Sequence, residues 1–264
     1  MNKFVKKFFT ACFSVYGFSV FLALMIVLLP LFIICFLMGR IEGGNLLYKV
    51  CRFWADGFFF LVMIRHEKIL EEEHDVNNSF VFVSNHISYL DVPMMMKSIR
   101  RQHVRILAKA EMAKIPIFGF IYKQGTILVE RDDIDNRRES VKQLIHFIHQ
   151  KISVFICPEG TFNTTHLPLK NFYDGAFKIA IETQTPIRPV LFLDTHDRLN
   201  CRSILSLTPG RSRSVYLAQT STAGLTSSDV SLLKQKVFNQ MEEALIRYKA
   251  SWITPELLND SQPH

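Results

Sequence analysis

Val81-Phe-Val-Ser-Asn-His-Ile-Ser-Tyr-Leu-Asp91 begins as an apolar, β-like run and ends on two ionisable side chains five residues apart, His86 and Asp91. An imidazole can take a proton from a hydroxyl, and a carboxylate on its other nitrogen holds the tautomer and stabilises the imidazolium. His86 is the only one of the nine histidines with Asp at that offset; the nearest rival is His66 with Glu71. Spacing alone leaves a second reading open, in which His86 caps a strand and Asp91 is the N-cap of the helix that follows.

Downstream of this stretch the pattern alternates. Strands are expected over 80–83, 104–108, 126–130, 152–156, 187–193 and 214–219. Helices are expected over 92–99, with Pro93 tolerated in its first turn, and over 134–150, 173–183 and 227–248. Ile134, Val141, Leu144, Ile145 and Ile148 keep a helical period, and Thr226 or Ser227 is placed to cap the last helix. Residues 111–122 carry Pro116 and Gly119 and form at best a broken helix. The alternation predicts an α/β domain over 65–264, with a central mixed sheet flanked by helices.

Upstream, residues 11–38 carry no charge and follow Lys3, Lys6 and Lys7. About 20 apolar residues, at about 1.5 Å each, cross the hydrocarbon core of a bilayer. A cleaved signal peptide has a shorter apolar core, about 7–15 residues, and a small-x-small cleavage site. No such site follows Met38, so a retained anchor is expected, kinked at Pro30 and closed by a glycine-bearing turn over 39–45. Residues 46–64 differ: Lys49, Arg52 and Asp56 interrupt a segment loaded with Trp54, Phe58, Phe59 and Phe60. That mixture suits a helix lying at a membrane interface; the other reading is a core helix of the α/β domain. Residues 1–64 are therefore expected to form a membrane-associated helical hairpin, joined by a polar linker over 67–78. Basic residues flank both ends of the first run, so charge asymmetry does not set its topology.

Composition agrees with a lipid partner. Of 264 residues, 48% are hydrophobic, 23 are Phe, and the formal charge is +7. A basic, apolar-rich chain suits an anionic membrane surface or an anionic substrate. Nucleic acid is the rival, and the chain has no zinc-finger spacing, RNP-like motif or Arg-rich tail. The five cysteines form no C-x-x-C pair, which argues against a structural metal or a disulfide framework and for a reducing compartment.

Four clusters fall at the ends of expected strands, where open α/β sheets bind ligands. The first is Asn85-His86 with Asp91. The second runs from Lys109 through Lys114, Pro116, Gly119, Lys123 and Gly125 to Arg131, a set of cations around glycines that suits phosphate. In the third, Pro158-Glu-Gly-Thr161, Gly160 permits a tight turn and Glu159 can accept hydrogen bonds from a polyol or a neighbouring cation. The fourth is Ile187-Arg-Pro-Val190. No P-loop, G-x-G-x-x-G or G-x-S-x-G is present, which disfavours nucleotide binding and serine hydrolysis.

Taken in order, these motifs resemble the glycerolipid acyltransferases of the lysophosphatidic acid acyltransferase type, over about residues 80–193. The resemblance implies that His86 is the general base and Asp91 its orienting partner. It sets Asn85 in the same motif at the substrate site, and Lys109 and Arg131 beside the acceptor's phosphate. It implies that Glu159, Gly160 and Thr161 bind the acceptor's polar end and that Pro189 shapes the pocket for the acyl donor. The donor would be acyl-CoA or acyl carrier protein, the acceptor a lysolipid, and no metal or cofactor would be needed. The expected location is a membrane, the bacterial inner membrane, with the site on the cytoplasmic side. Two departures stand out. Phe162 occupies the place where the family commonly has Arg, and Phe172-Tyr-Asp-Gly175 stands where it commonly has Phe-Lys-x-Gly; Lys170 and Lys178 are the cations nearby. These departures keep open an acceptor such as a lyso-aminolipid or another lysophospholipid. A non-catalytic membrane adaptor is the reading from another class, and intact His86 and Asp91 argue against it.

Overall fold

A computed structural model describes residues 3–73, 76–115, 118–130 and 133–254. Its centre is a seven-stranded sheet in the order β1-β7-β6-β2-β5-β3-β4. The strands are β1 Ile64–Leu70, β2 Val81–Val83, β3 Val104–Lys109, β4 Thr126–Val129, β5 Ser153–Ile156, β6 Ile187–Phe192 and β7 Gly210–Tyr216. β2 to β6 run parallel to one another, whereas β7 is antiparallel to β6 and β1 parallel to β7. The sheet is thus mixed, and the carboxyl ends of β2, β3, β5 and β6 share one edge. From β2 the chain first builds outward on one side, through β3 and β4, and returns through β5. It then crosses to the other side of β2 with β6. That reversal makes the end of β2 a switch point, where loops part and leave a crevice.

The central strands read apolar at every position because both faces are covered. Val81, Val83, Val154, Ile156 and Leu191 point to one face and bury against α6 Ile134–His149, α7 Gly175–Glu182 and α9 Val230–Arg247. Phe82, Phe155, Val190 and Phe192 point to the other. There they meet α4 Asp91–Ser98 and, less expectedly, α3 Gly44–Leu61, which lays Tyr48, Trp54, Phe58 and Phe59 into the same core. The aromatic segment read as interfacial therefore has two sides. One covers the sheet, while Phe53 and Phe60 remain exposed. The expected linker is also shorter than its polarity suggested. Residues through Leu70 are drawn into β1, because seven residues of β7 supply a complete ladder for them.

The hairpin is built from α1 Lys3–Val27, α2 Leu29–Leu37 and α3. α1 and α2 part at Leu28, with Pro30 in the first turn of α2, where its missing N–H is no loss. α1 returns antiparallel on α3: the Tyr16 hydroxyl donates to the Leu61 carbonyl, and Phe21 packs edge-on against Trp54 and Phe58. Among the described helices, α1 alone is long and apolar enough to cross a membrane. The expected turn over 39–45 is a turn of π-helix, Gly39–Gly43, running directly into α3. Gly43 is needed for space, since a Cβ there would lie 1.8 Å from the Cys35 carbonyl oxygen, whereas Gly39 takes a left-handed φ of +78°. The carbonyls left over at this turn are taken by the α/β domain. Arg105 of β3, itself buried, donates to the carbonyls of Arg40 and Ile41 and to the Asn45 side chain. Gln124 of α5 Phe118–Gly125 donates to Cys35 and Gly39.

Candidate active site

β2 ends at Val83, and the next seven residues cross the carboxyl edge of the sheet before α4 begins. His86 and Asp91 meet there: His86 Nδ1 lies 2.9 Å from Asp91 Oδ2. Asp91 is 1% exposed, and four donors surround its carboxylate. Oδ2 also accepts from the N–H groups of Ile87 and Ser88 at 2.8 and 2.9 Å, and Oδ1 accepts the Thr195 hydroxyl at 2.8 Å. Asp91 is the first residue of α4, and its side chain turns back onto the preceding loop instead of capping the helix. A carboxylate so engaged only accepts, so Nδ1 carries the proton and Nε2 presents its lone pair. Among the described residues no partner takes Nε2, and the imidazole keeps an exposed edge.

The surrounding residues divide into those that hold the loop and those that face outward. Asn85 is fully buried, and its carboxamide closes a two-bond clamp on the backbone of Phe192, accepting from the N–H at 2.9 Å and donating to the carbonyl at 3.0 Å. An amide side chain matches one residue's donor and acceptor together, so Asn85 ties the loop after β2 to β6. Glu159 also turns inward. It is 2% exposed, with Oε1 accepting from the His86 N–H and Oε2 from the Lys170 N–H, both at 2.9 Å. Its carboxylate spans the loops after β2 and β5, so the polyol contact expected of it is replaced by a brace. Burial pushes its pKa up to about 7, against the opposing pull of those two N–H donors.

Gly160 takes a left-handed φ of +74°, which the tight turn requires, and its N–H donates to the Cys157 carbonyl. Thr161 follows at the surface, where its hydroxyl accepts from the Lys170 ammonium at 2.7 Å. Phe162 stands over the imidazole, ring centroids 4.2 Å apart, with Tyr89 edge-on behind it at 4.9 Å. The aromatic ring in the family's usual cation position therefore walls the base. The Asn163 N–H returns to the His86 carbonyl, and its side chain ties together residues 165–168.

Lys109 closes β3 at the same edge, and its ammonium is 2.9 Å from Glu111 with both side chains about half exposed. Arg131 lies outside the described residues. Pro189 is buried within β6, opposite Val83. A proline there has a local cause: pairing with β7 begins at Val190–Tyr216, and the separate Ile187–Thr220 bridge is out of step with it by one residue. Pro189 sits at this bulge, accepting from the Leu217 N–H where its own missing N–H breaks no ladder bond. The structure thus brings His86, Asp91, Glu159, Gly160 and Thr161 together, and leaves Pro189 as a feature of the sheet.

Sequence reasoning missed Thr195 and Ser88. Thr195 opens the one-turn helix α8 Thr195–Arg198 and completes the shell of Asp91; the Ser88 hydroxyl donates to the Leu199 carbonyl at 2.6 Å. Nothing in their neighbourhood marked them, since each contact joins residues more than 100 positions apart. The same 195–207 segment reaches the hairpin, where the Leu207 N–H donates to Ser14 of α1 at 2.9 Å and Leu207 fills the space over Gly17.

Comparison with known proteins agrees with this geometry. The Acyltransferase family profile matches residues 64–193. Human 1-acyl-sn-glycerol-3-phosphate acyltransferase alpha is 30% identical over 200 residues, 73% of this chain and 68% of the human protein. The mouse alpha protein is 33% identical over 169 residues, 61% of this chain and 57% of its own length. The 1-acyl-sn-glycerol-3-phosphate acyltransferase of Haemophilus influenzae is 26% identical over 151 residues, 56% of this chain and 61% of its own length. The chain thus spans between 57 and 68% of these relatives. In fold it is similar to the crystal structure of the 1-acyl-sn-glycerophosphate acyltransferase PlsC of Thermotoga maritima, with a TM-score of 0.72 at 18% identity over 96% of this chain and 100% of that one. The chain belongs to the glycerolipid acyltransferase family, of the 1-acyl-sn-glycerol-3-phosphate acyltransferase type.

Proposed function

We propose that the protein transfers an acyl group from a thioester, acyl-CoA or acyl carrier protein, to the free hydroxyl of lysophosphatidate, giving phosphatidate. The observation that carries this is the His86–Asp91 pair at the carboxyl edge of β2, with Nδ1 held and Nε2 open. Nε2 takes the hydroxyl proton as the oxygen attacks the thioester carbon. The tetrahedral intermediate then collapses with loss of the thiolate, which recovers the proton from the imidazolium and leaves as the free thiol. Asp91 stays ionised throughout, stabilising the imidazolium while its four donors hold it in place. The acceptor is itself the nucleophile, so no acyl-enzyme is required.

An oxyanion needs preorganised donors. The Gly160 N–H is spent within its turn, whereas none of the described residues accepts from the N–H groups of Thr161 and Phe162, so we assign the oxyanion to that pair. The exposed phenylalanines of α1 support attachment to a bilayer; we place the protein at the bacterial inner membrane with the site facing the cytoplasm. A lyso-aminolipid or another lysophospholipid is the second reading of the acceptor. It is favoured by Phe162 over the base and by the pairing of Lys109 with Glu111.

The test is a panel. Purified protein in mixed micelles is given lysophosphatidate and other lysolipids, each with acyl-CoA and with acyl carrier protein. Lysophosphatidate is expected to have the highest kcat/KM with at least one donor. Turnover confined to another lysolipid moves the assignment to the second reading, and no turnover with any pair overturns both.

A further inference from the structure

We propose that Lys170 is the cation that binds the anionic head group of the acceptor, a residue outside the four motifs. This rests on a phosphate-bearing acceptor, as argued above. Lys109, Lys178 and Lys234 have carboxylate partners: Lys109 is held by Glu111 at 2.9 Å, and Lys178 and Lys234 share Asp174 at 3.8 and 2.7 Å. Lys170 differs. Its ammonium donates to the neutral Thr161 hydroxyl at 2.7 Å, and no carboxylate among the described residues pairs with it. Glu159, the nearest acid in this network, spends both oxygens on main-chain N–H groups.

The backbone that carries this charge is held by the same brace that holds the backbone of the base. One carboxylate holds the N–H of His86 on one oxygen and the N–H of Lys170 on the other, so the two residues share a rigid spacer. An ammonium has three donors and Thr161 uses one, which leaves two for phosphate oxygens. In a lysophosphatidate the acceptor hydroxyl and the phosphate stand on adjacent carbons. A cation for that phosphate must therefore lie near the group that deprotonates the hydroxyl; the Lys170 ammonium bonds Thr161, whose neighbour Phe162 has its ring centroid 4.2 Å from that of His86. Phe162 and Tyr89 cover a side of the imidazole with aromatic surface, which offers no charge to a phosphate.

The side chain can be removed without losing the brace, because the bond to Glu159 is made by the backbone. Lys170→Met is expected to raise the KM for lysophosphatidate by about 10- to 100-fold, the worth of a charge-assisted contact to phosphate, with donor KM and kcat within about twofold of the parent. Lys170→Arg is expected to recover most of the loss. Arg202→Met is the control: Arg202 donates to the Thr164 carbonyl of the same loop at 2.7 Å without touching Thr161, so its removal takes away one nearby charge. It is expected to shift KM less than about threefold. An unchanged KM in Lys170→Met, or an equal rise in both variants, overturns the assignment and leaves the acyltransferase reading standing. Calorimetric binding of a short-chain lysophosphatidate, without donor, separates the other failure. Parent protein that binds it but never turns it over, with binding lost in Lys170→Met, keeps Lys170 and removes the reaction; parent protein that does not bind it removes Lys170.

Discussion

The loop from Ser84 to Asp91 and the helix α1 solve opposite problems. In the loop nearly every polar group is buried and answered by a partner far along the chain: Asn85 by Phe192, Ser88 by Leu199, Asp91 by Thr195, and the His86 N–H by Glu159. In α1 the backbone satisfies itself within each turn and the side chains are left outward, with Phe4, Phe8 and Phe18 at 77, 59 and 62% exposure. The loop is rigid because its bonds are directional and shut away from water. α1 is held to the body along one side, by Ser14 and Gly17 on Leu207, Tyr16 on Leu61, and Phe21 on Trp54 and Phe58, and offers its other side to another medium. Damage to the loop should therefore appear in the chemical step, and damage to α1 in where the protein goes.

The sharpest break of that comparison is at the base. His86→Ala is expected to lower kcat by about 10²–10⁴-fold, with secondary structure and vesicle binding intact. Asp91→Asn should cost less rate but more stability, since an amide presents an N–H₂ to one of four donors that need an acceptor. A His86→Ala protein turning over at half the parent rate removes the base from the mechanism.

The second break is at the helix. Replacing Phe4, Phe8 and Phe18 together by Ser should weaken partition to anionic vesicles by about tenfold or more for each ring that enters the bilayer. Turnover of a short-chain, monomeric acceptor should stay within about twofold. Loss of that soluble turnover as well would mean that α1 reaches the site through Leu207 more strongly than its few contacts suggest.

The smallest effect sharpens the loop side. The Glu159 carboxyl has its pKa raised by burial from 4.5 to about 7, so the folded state binds a proton more tightly than the unfolded chain between those values. Its contribution to stability is thus full below the unfolded pKa and falls as pH rises to about 7, by roughly 3 kcal/mol at most. Denaturant titrations from pH 4 to 8 should show this decline in the parent and a flatter profile in Glu159→Gln. Parallel profiles would mean that the carboxyl titrates in the folded protein as it does in the unfolded chain.

What the sequence determined by itself was whatever depends on neighbours along the chain. The uncharged run of α1 was legible because a helix satisfies its own backbone and needs only composition. The strand–helix alternation was legible because periods of 2 and 3.6 are written in successive residues, and His86–Asp91 because five residues span one loop. The tertiary structure alone decided the work of residues whose partners lie elsewhere. Asn85 reads as a site residue until Phe192 arrives to be clamped, and Glu159 reads as a ligand until two N–H groups from separate loops close on it. Residues 46–64 read as an interfacial helix until the sheet's second face claims one side of it. Lys109 and Lys170 cannot be ranked from their positions in the chain. A hydrogen bond or an ion pair acts over about 3 Å in a given direction, and only the folded chain sets Glu111 beside one lysine and Thr161 beside the other.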